Sequence, residues 1–243
     1  MSGHNKWAKI ARKKGVSDAK RGAMFTKVGN LISIAASKGG DPDANFQLRL
    51  AIEKAREINM PKDNIDRSIK RGTGEGNDGK VFEEVSYEVF GPAGSAFIAH
   101  AVTDNRNRTI TDIKTILNKT GGNLGASGSV MWMFENKGLI IIPIEQLANK
   151  NTDEIELNLI DAGADNIEKS DEEWEIYTAP EKLQETNKAI TAMGLNPKES
   201  TLTCLAKEQV KISDPSIQTK IENLYNALDE IGDINNVYTN AEW

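Results

Sequence analysis

Leu139-Ile140-Ile141-Ile142-Pro143-Ile144, an apolar, β-branched run interrupted by proline, opens the stretch whose order of elements decides the fold. A run of this length reads as a buried strand. Residues 152–162 then take helical spacing, 166–170 and 173–178 alternate as two strands, 181–193 return to helical spacing, and 200–206 form a last strand. Strand, helix, two strands, helix, strand is the βαββαβ order of a ferredoxin-like domain. That domain is assigned to residues 135–206.

Working outward, residues 82–90 and 95–103 alternate on either side of Gly91-Pro92-Ala93-Gly94 and predict an antiparallel hairpin. A helix is expected over 109–119, stopped by Gly121-Gly122, and a third strand over 129–134. Beyond residue 206 come a short strand at 210–212, a helix opened by Asp214-Pro215 and running to 231, and a strand at 235–238. These have no sheet of their own. They are expected to complete the sheet begun before residue 135, so that 80–134 plus 207–243 make a discontinuous α+β domain into which 135–206 is inserted. Upstream, residues 1–76 read as a basic helical domain with an N-terminal arm. Its first helix is capped at Ser17 or Asp18, with Met24, Val28, Leu31 and Ala35 on the 3.6-residue period, and stops at Gly39-Gly40. A second opens at Asp41-Pro42, and a third restarts at Pro61 and ends at Gly72. The fold class expected is α+β: a three-helix domain followed by two α/β (ferredoxin-like) domains, the third inserted into the second.

Charge divides along the same lines. The chain of 243 residues has a formal charge of -6, yet 17 basic face 9 acidic residues before position 81 and 13 face 27 after it. The densest basic run holds Lys6, Lys9, Arg12, Lys13, Lys14, Lys20, Arg21 and Lys27 against Asp18 alone. Such a segment attracts polyanions, because each cation that meets a phosphate releases condensed counterions. Trp7 adds a ring that can stack on a base. Lys70 and Arg71 lie at the end of the third helix. Arg106 and Arg108 stand in Asp104-Asn105-Arg106-Asn107-Arg108, between a strand and a helix. Two readings of that stretch stay open: the arginines grip phosphates while an Asn reads a base edge, or Asp104 and the Asn side chains build the turn and the arginines pair with acids.

Other classes of function find little support. The chain has two histidines, His4 and His100, and one cysteine. No histidine-based triad or metal site assembles locally from these, and Cys204, in Leu202-Thr203-Cys204-Leu205-Ala206, reads as a small buried strand residue. Gly72-Thr73-Gly74-Glu75-Gly76-Asn77-Asp78-Gly79 reads as a linker and domain hinge rather than a phosphate loop, since it follows a helix and precedes a strand. No enzymatic activity, cofactor, metal or small-molecule substrate is expected. There is no apolar run near 20 residues and no leader pattern, so no membrane association is expected and the cytoplasm is the expected location. A monomer is expected.

Several blocks together resemble the YebC family: Gly3-His4-Asn5-Lys6-Trp7, Asp18-Ala19-Lys20-Arg21-Gly22, Met60-Pro61-Lys62-Asp63-Asn64-Ile65, Ile69-Lys70-Arg71-Gly72-Thr73-Gly74, Thr103-Asp104-Asn105-Arg106-Asn107-Arg108-Thr109 and Gly121-Gly122-Asn123-Leu124-Gly125. The resemblance implies an N-terminal helical domain and two α+β domains around a cleft. It also implies work on nucleic acid, as a DNA-binding transcriptional regulator or, alternatively, as a ribosome-associated translation factor touching ribosomal RNA. Two positions depart from the family pattern: Asn5 stands where Ser is common, and Arg12 where a second His is frequent.

Gly15 and the lack of a capping residue before Lys6 suggest that the arm orders only when bound. In the free protein, the backbone amides of residues 3–14 are expected to exchange with solvent without strong protection, as measured by hydrogen–deuterium exchange.

Overall fold

The computed structural model describes residues 18–75, 82–148 and 150–243, with the side chains of residues 18–21 and of Phe46 outside that description. The expectation for the order of the N-terminal arm therefore lies outside the described residues. The chain divides into two compact units, residues 133–207 and the remainder.

The larger unit begins with three helices, α1 (Asp18–Ala36), α2 (Phe46–Glu57) and α3 (Lys62–Thr73). Their core is Val28, Ile32, Ala35, Leu48, Ile52, Ala55, Met60 and Ile65. The first helix does not bury the single stripe read from its period: Met24 is 38% exposed, while Asn30 and Ser33 are buried beside Ile32. Its polar residues are inside because α1 is clasped from two sides. The Ser33 hydroxyl donates to Gly29 O and Ser68 O, both at 2.9 Å, and the Asn30 amide donates to Val102 O at 3.1 Å.

Two helix boundaries differ from the sequence reading. Asp41-Pro42 does not open α2; Asp41 closes a turn by accepting from Asp43 N, and Asn45 caps the helix by accepting from Leu48 N at 3.1 Å. Gly72 does not end α3, which continues to Gly74, a left-handed C-cap at φ 84°. Gly72 instead lies where α3 crosses α1. A Cβ at that position would lie 2.2 Å from Ser33 O.

Next come β1 (Glu83–Phe90), β2 (Ala96–Thr103), α4 (Arg106–Thr120) and the two-residue β3 (Asn123–Leu124). β1 and β2 form the expected antiparallel hairpin, in register from Glu83 opposite Thr103 to Phe90 opposite Ala96. The expected strand over 129–134 is absent. Glu88, 5% exposed, accepts from the backbone N–H of Gly128, Val130 (2.6 Å) and Met131 (2.8 Å). Those donors are the ones a strand ladder would have used, so the backbone turns through a short 3-10 segment, Met131–Met133, and leaves Trp132 64% exposed. Burial alone would raise the Glu88 pKa, yet these N–H donors hold it below the usual carboxylate range.

The smaller unit contains β4 (Phe134–Pro143), α5 (Thr152–Asp161), β5 (Ala164–Lys169), β6 (Glu173–Thr178), α6 (Leu183–Ala192) and β7 (Glu199–Ala206). Its strands order as β5-β6-β4-β7, all antiparallel, which is the ferredoxin-like arrangement. Ile140, Ile142, Trp174 and Ile176 from the sheet meet Ile155, Leu159 and Ile190 from the helices. Cys204 is buried in β7, donates to Asn136 Oδ1 at 3.0 Å, and has its thiol pushed up to about 11 by burial.

The chain then re-enters the larger unit through β8 (Val210–Lys211), α7 (Pro215–Asp229), β9 (Ile234–Thr239) and β10 (Ala241–Glu242). β9 pairs with β2, giving the sheet order β3-β1-β2-β9, and α4 and α7 cover one face of it through Ile113, Leu117, Ile221, Leu224 and Leu228. The fold is α+β, as expected. No helix among the described residues is long and apolar enough to cross a membrane.

The α1–α3 crossing gives the first structural test. Gly72→Ala is expected to destabilise by roughly 1–3 kcal/mol, because the methyl meets backbone that cannot step aside, an overpacking cost that exceeds the helix propensity gained. Urea unfolding of the whole chain measures this. Gly74→Ala, with nothing within 4 Å of its added Cβ, is expected to cost only the left-handed backbone strain of about 1–2 kcal/mol.

Candidate nucleic-acid interface

The Asp104–Arg108 stretch is not the loop expected from sequence. Asn105 caps α4 by accepting from Arg108 N at 3.1 Å, which starts the helix at Arg106 and places both arginines in its first turn. Cations are unfavourable at a helix N-terminus, and each of these two is met by carboxylate. Arg106 makes a two-pronged pair with Glu83, Nη2 lying 2.6 Å from Oε2, and this partnership raises the guanidinium pKa. Arg108 reaches Asp233, with Nη2 at 2.9 Å from Oδ2 and 3.0 Å from Oδ1, and Asp104 at 2.9 Å. Burial works against the Arg108 charge, but Asp233 and Asp104 more than restore it.

Asp233 is 7% exposed and is the hub of this arrangement. The Thr109 hydroxyl donates to it at 2.7 Å and the Thr103 hydroxyl at 3.2 Å, while Thr103 Oγ1 accepts from Asn105 N at 2.9 Å. Thr103 and Thr109 are fully buried. The end of β2, the start of α4 and the turn before β9 are thus tied to one carboxylate.

The helical part docks against the same corner. Lys27 pairs with Asp229 at 2.7 Å with its own side chain 15% exposed, Asn235 donates to Lys27 O at 3.2 Å, and Asn30 bonds β2. Arg71 donates to Ser33 Oγ and Asn30 Oδ1, each at 3.1 Å, and its guanidinium lies 4.6 Å from the centre of the Phe82 ring. Burial lowers the Arg71 pKa, and the charges of Asp104 and Asp233 oppose that shift. A cleft of about 350 Å³ opens here, with Arg71 and Arg108 on its walls beside Asp104, Asp112 and Asp233. Its mixed charge suits a docking seam better than a phosphate track.

The sequence-derived contact residues therefore fall into groups. Lys6, Trp7, Lys9, Arg12, Lys13 and Lys14 lie outside the described residues, as do the side chains of Lys20 and Arg21 in the first turns of α1. Lys27, Arg71, Arg106 and Arg108 are engaged in bonds within the fold. Lys70 is exposed on α3. Sequence reading passed over Arg67, also exposed on α3. The signal that marks it is its position four residues before Arg71, on one helical face. His100 is in β2, edge-on to Tyr238 with ring centres 5.2 Å apart. Among the described residues no group of His, Cys, Asp and Glu is arranged to hold a metal ion.

The two arginines of α4 are expected to separate in a stability measurement. Asp233→Ala removes the acceptor shared by the half-exposed Arg108 guanidinium and the buried hydroxyls of Thr103 and Thr109, and is expected to lower unfolding free energy by roughly 1–3 kcal/mol. Arg106→Ala removes an exposed, solvent-screened pair and is expected to change stability much less than Asp233→Ala. Urea unfolding of the two variants measures both.

Comparison with known proteins agrees across the chain. The family model described as the TACO1/YebC protein N-terminal domain matches residues 5–75, and that described as the TACO1/YebC second and third domain matches residues 82–241. A probable transcriptional regulatory protein of Thermoanaerobacter pseudethanolicus is 46% identical over 243 residues, covering 100% of this chain and 97% of the relative. One from Caldanaerobacter subterraneus subsp. tengcongensis is 44% identical over 100% of this chain and 98% of its own. The crystal structure of a conserved hypothetical protein from Aquifex aeolicus superposes with a TM-score of 0.81 at 39% identity, over 95% of this chain and 93% of that one. The chain belongs to the TACO1/YebC family.

Proposed function

We propose that the protein is a regulator of gene expression that acts by binding nucleic acid through its N-terminal arm and helical domain. The observation that carries this reading is the concentration of cations in residues 6–27, eight against one acid, on a chain of net charge -6. Its acidic remainder repels a polyanion, so contact is confined to the basic end. The ion pairs of Lys27, Arg106 and Arg108, and the bonds of Arg71 to Ser33 and Asn30, argue against those side chains as phosphate contacts. Lys6, Lys9, Arg12, Lys13, Lys14, Lys20, Arg21 and Lys70 remain as phosphate contacts, with Trp7 as the stacking ring.

The printed names of the relatives, probable transcriptional regulatory proteins, support a DNA target. The described surface supports a second reading, a translation factor bound to ribosomal RNA. The exposed side of α3 mixes Asp63 and Asp66 with Lys62, Arg67 and Lys70. A recognition helix in the major groove needs a row of base-reading side chains, and acids so placed face the phosphates. Folded RNA with unpaired bases makes no such demand. No catalytic step is assigned in either reading.

Crosslinking in cells followed by sequencing of bound nucleic acid decides between them. The intact protein is expected to recover nucleic acid that a Lys9, Arg12, Lys13, Lys14→Ala variant loses. Enrichment of a genomic promoter assigns transcription, and enrichment of ribosomal RNA assigns translation. Equal recovery by the variant removes the arm from the mechanism.

A further inference from the structure

A second concavity, of about 210 Å³, lies between α1 and α3 and adjoins the docking seam through Thr26 and Arg71. Its lining includes two cations, Arg67 and Arg71, two neutral polar side chains, Asn64 and Ser68, and an apolar floor of Phe25 and Met60. No acidic residue lines it, in a chain with 36 Asp and Glu.

Asn64, Arg67, Ser68 and Arg71 follow i, i+3, i+4, i+7 spacing and so share one face of α3. Like charges four residues apart on a helix repel. Arg71 is compensated, since Asp104 and Asp233 act on it from the α+β part. Arg67 is exposed, and no ion pair among the described residues uses it. The helix thus places in the lining of a groove, beside a ring and a thioether, a guanidinium that no ion pair among the described residues uses. Gly29 allows the two helices to close on each other, for a Cβ there would lie 3.0 Å from Ser68 Oγ.

We propose that this groove holds one unpaired nucleotide of a single strand, its phosphate on Arg67 and its base over Phe25 and Met60 beside Asn64. This rests on the nucleic-acid reading above. A guanidinium presents paired donors to phosphate oxygens. A ring and a thioether offer a surface to any base, and an amide offers a donor and an acceptor to its edge. The volume is below the roughly 300–1,000 Å³ of pockets that engulf a drug-sized molecule, and suits a single planar base. Bases stacked inside a duplex cannot enter. An acidic peptide shares the attraction to arginine but its carboxylates supply no ring for the floor.

The test is fluorescence anisotropy of the full chain with short labelled oligouridine, oligothymidine, their duplexes and an abasic strand, across a salt series. Arg67→Ala is expected to weaken single-strand binding roughly tenfold and to reduce the salt slope by about 0.7, the value for one phosphate. Arg67→Lys is expected to keep the slope. The abasic strand is expected to bind the unaltered protein more weakly than either base-bearing strand. An effect on oligouridine alone identifies RNA as the source, and an equal effect on both identifies any single strand. Unchanged affinity and slope for Arg67→Ala, with the unaltered protein still binding, overturns the groove and leaves the wider reading standing. Failure of the unaltered protein to bind any strand or duplex overturns both. Arg67-dependent binding of polyglutamate without Arg67-dependent binding of either strand assigns the groove to an acidic peptide and overturns the proposal.

Discussion

A carboxylate removed from water must be met by donors, and Asp233 is where this fold meets that demand. Its oxygens collect the Arg108 guanidinium and the hydroxyls of Thr103 and Thr109, which draw a strand end, a helix start and a turn to one point. The preceding residue is used as well. Gly232 O lies 3.5 Å from the Asn30 amide that also holds Val102 O, so the helical part is fixed at the same corner. Removing the carboxylate would take the shared acceptor from the buried hydroxyls of Thr103 and Thr109, an outcome more damaging than the loss of an exposed ion pair.

This corner explains why the cations of the chain do different work. Arg106 and Arg108 of α4 and Lys27 of α1 are consumed in assembling the body. Arg67 and Lys70, exposed on α3, enter no ion pair among the described residues, and the chain beyond residue 80 is net acidic. Charge asymmetry along a sequence thus becomes orientation in space, with repulsion restricting contact as much as attraction promotes it.

Much of the fold was legible because its elements have clear periods. The apolar run at Leu139–Ile142 and the alternating strands around it fixed the ferredoxin-like order, and Gly91-Pro92-Ala93-Gly94 marked its hairpin by turn chemistry alone. What escaped depended on partners distant in sequence. Val130-Met131-Trp132-Met133 alternates like a strand, yet Glu88, some forty residues earlier, takes its backbone donors and bends it. For Arg106 and Arg108 the sequence left phosphate contact and pairing with acids equally open, and Glu83 and Asp233, distant in the chain, supply the pairing. Arg67 was missed for the converse reason, because its standing out depends on which neighbouring charges fail to reach it.

The lock at Asp233 also sets an order of events. Its two halves, Arg108 and Asp233, are 125 positions apart, with a whole ferredoxin-like unit between them that makes its own sheet from local contacts. During synthesis that unit can close as soon as it is complete, whereas the hairpin before it waits for β9 from the last part of the chain to arrive at the edge of β2. Loop closure over such a separation is slow. Until β9 has been made, Arg71 and Arg108 lack the Asp233 charge and β2 has no partner on that side, the kind of unpaired edge on which chains associate wrongly.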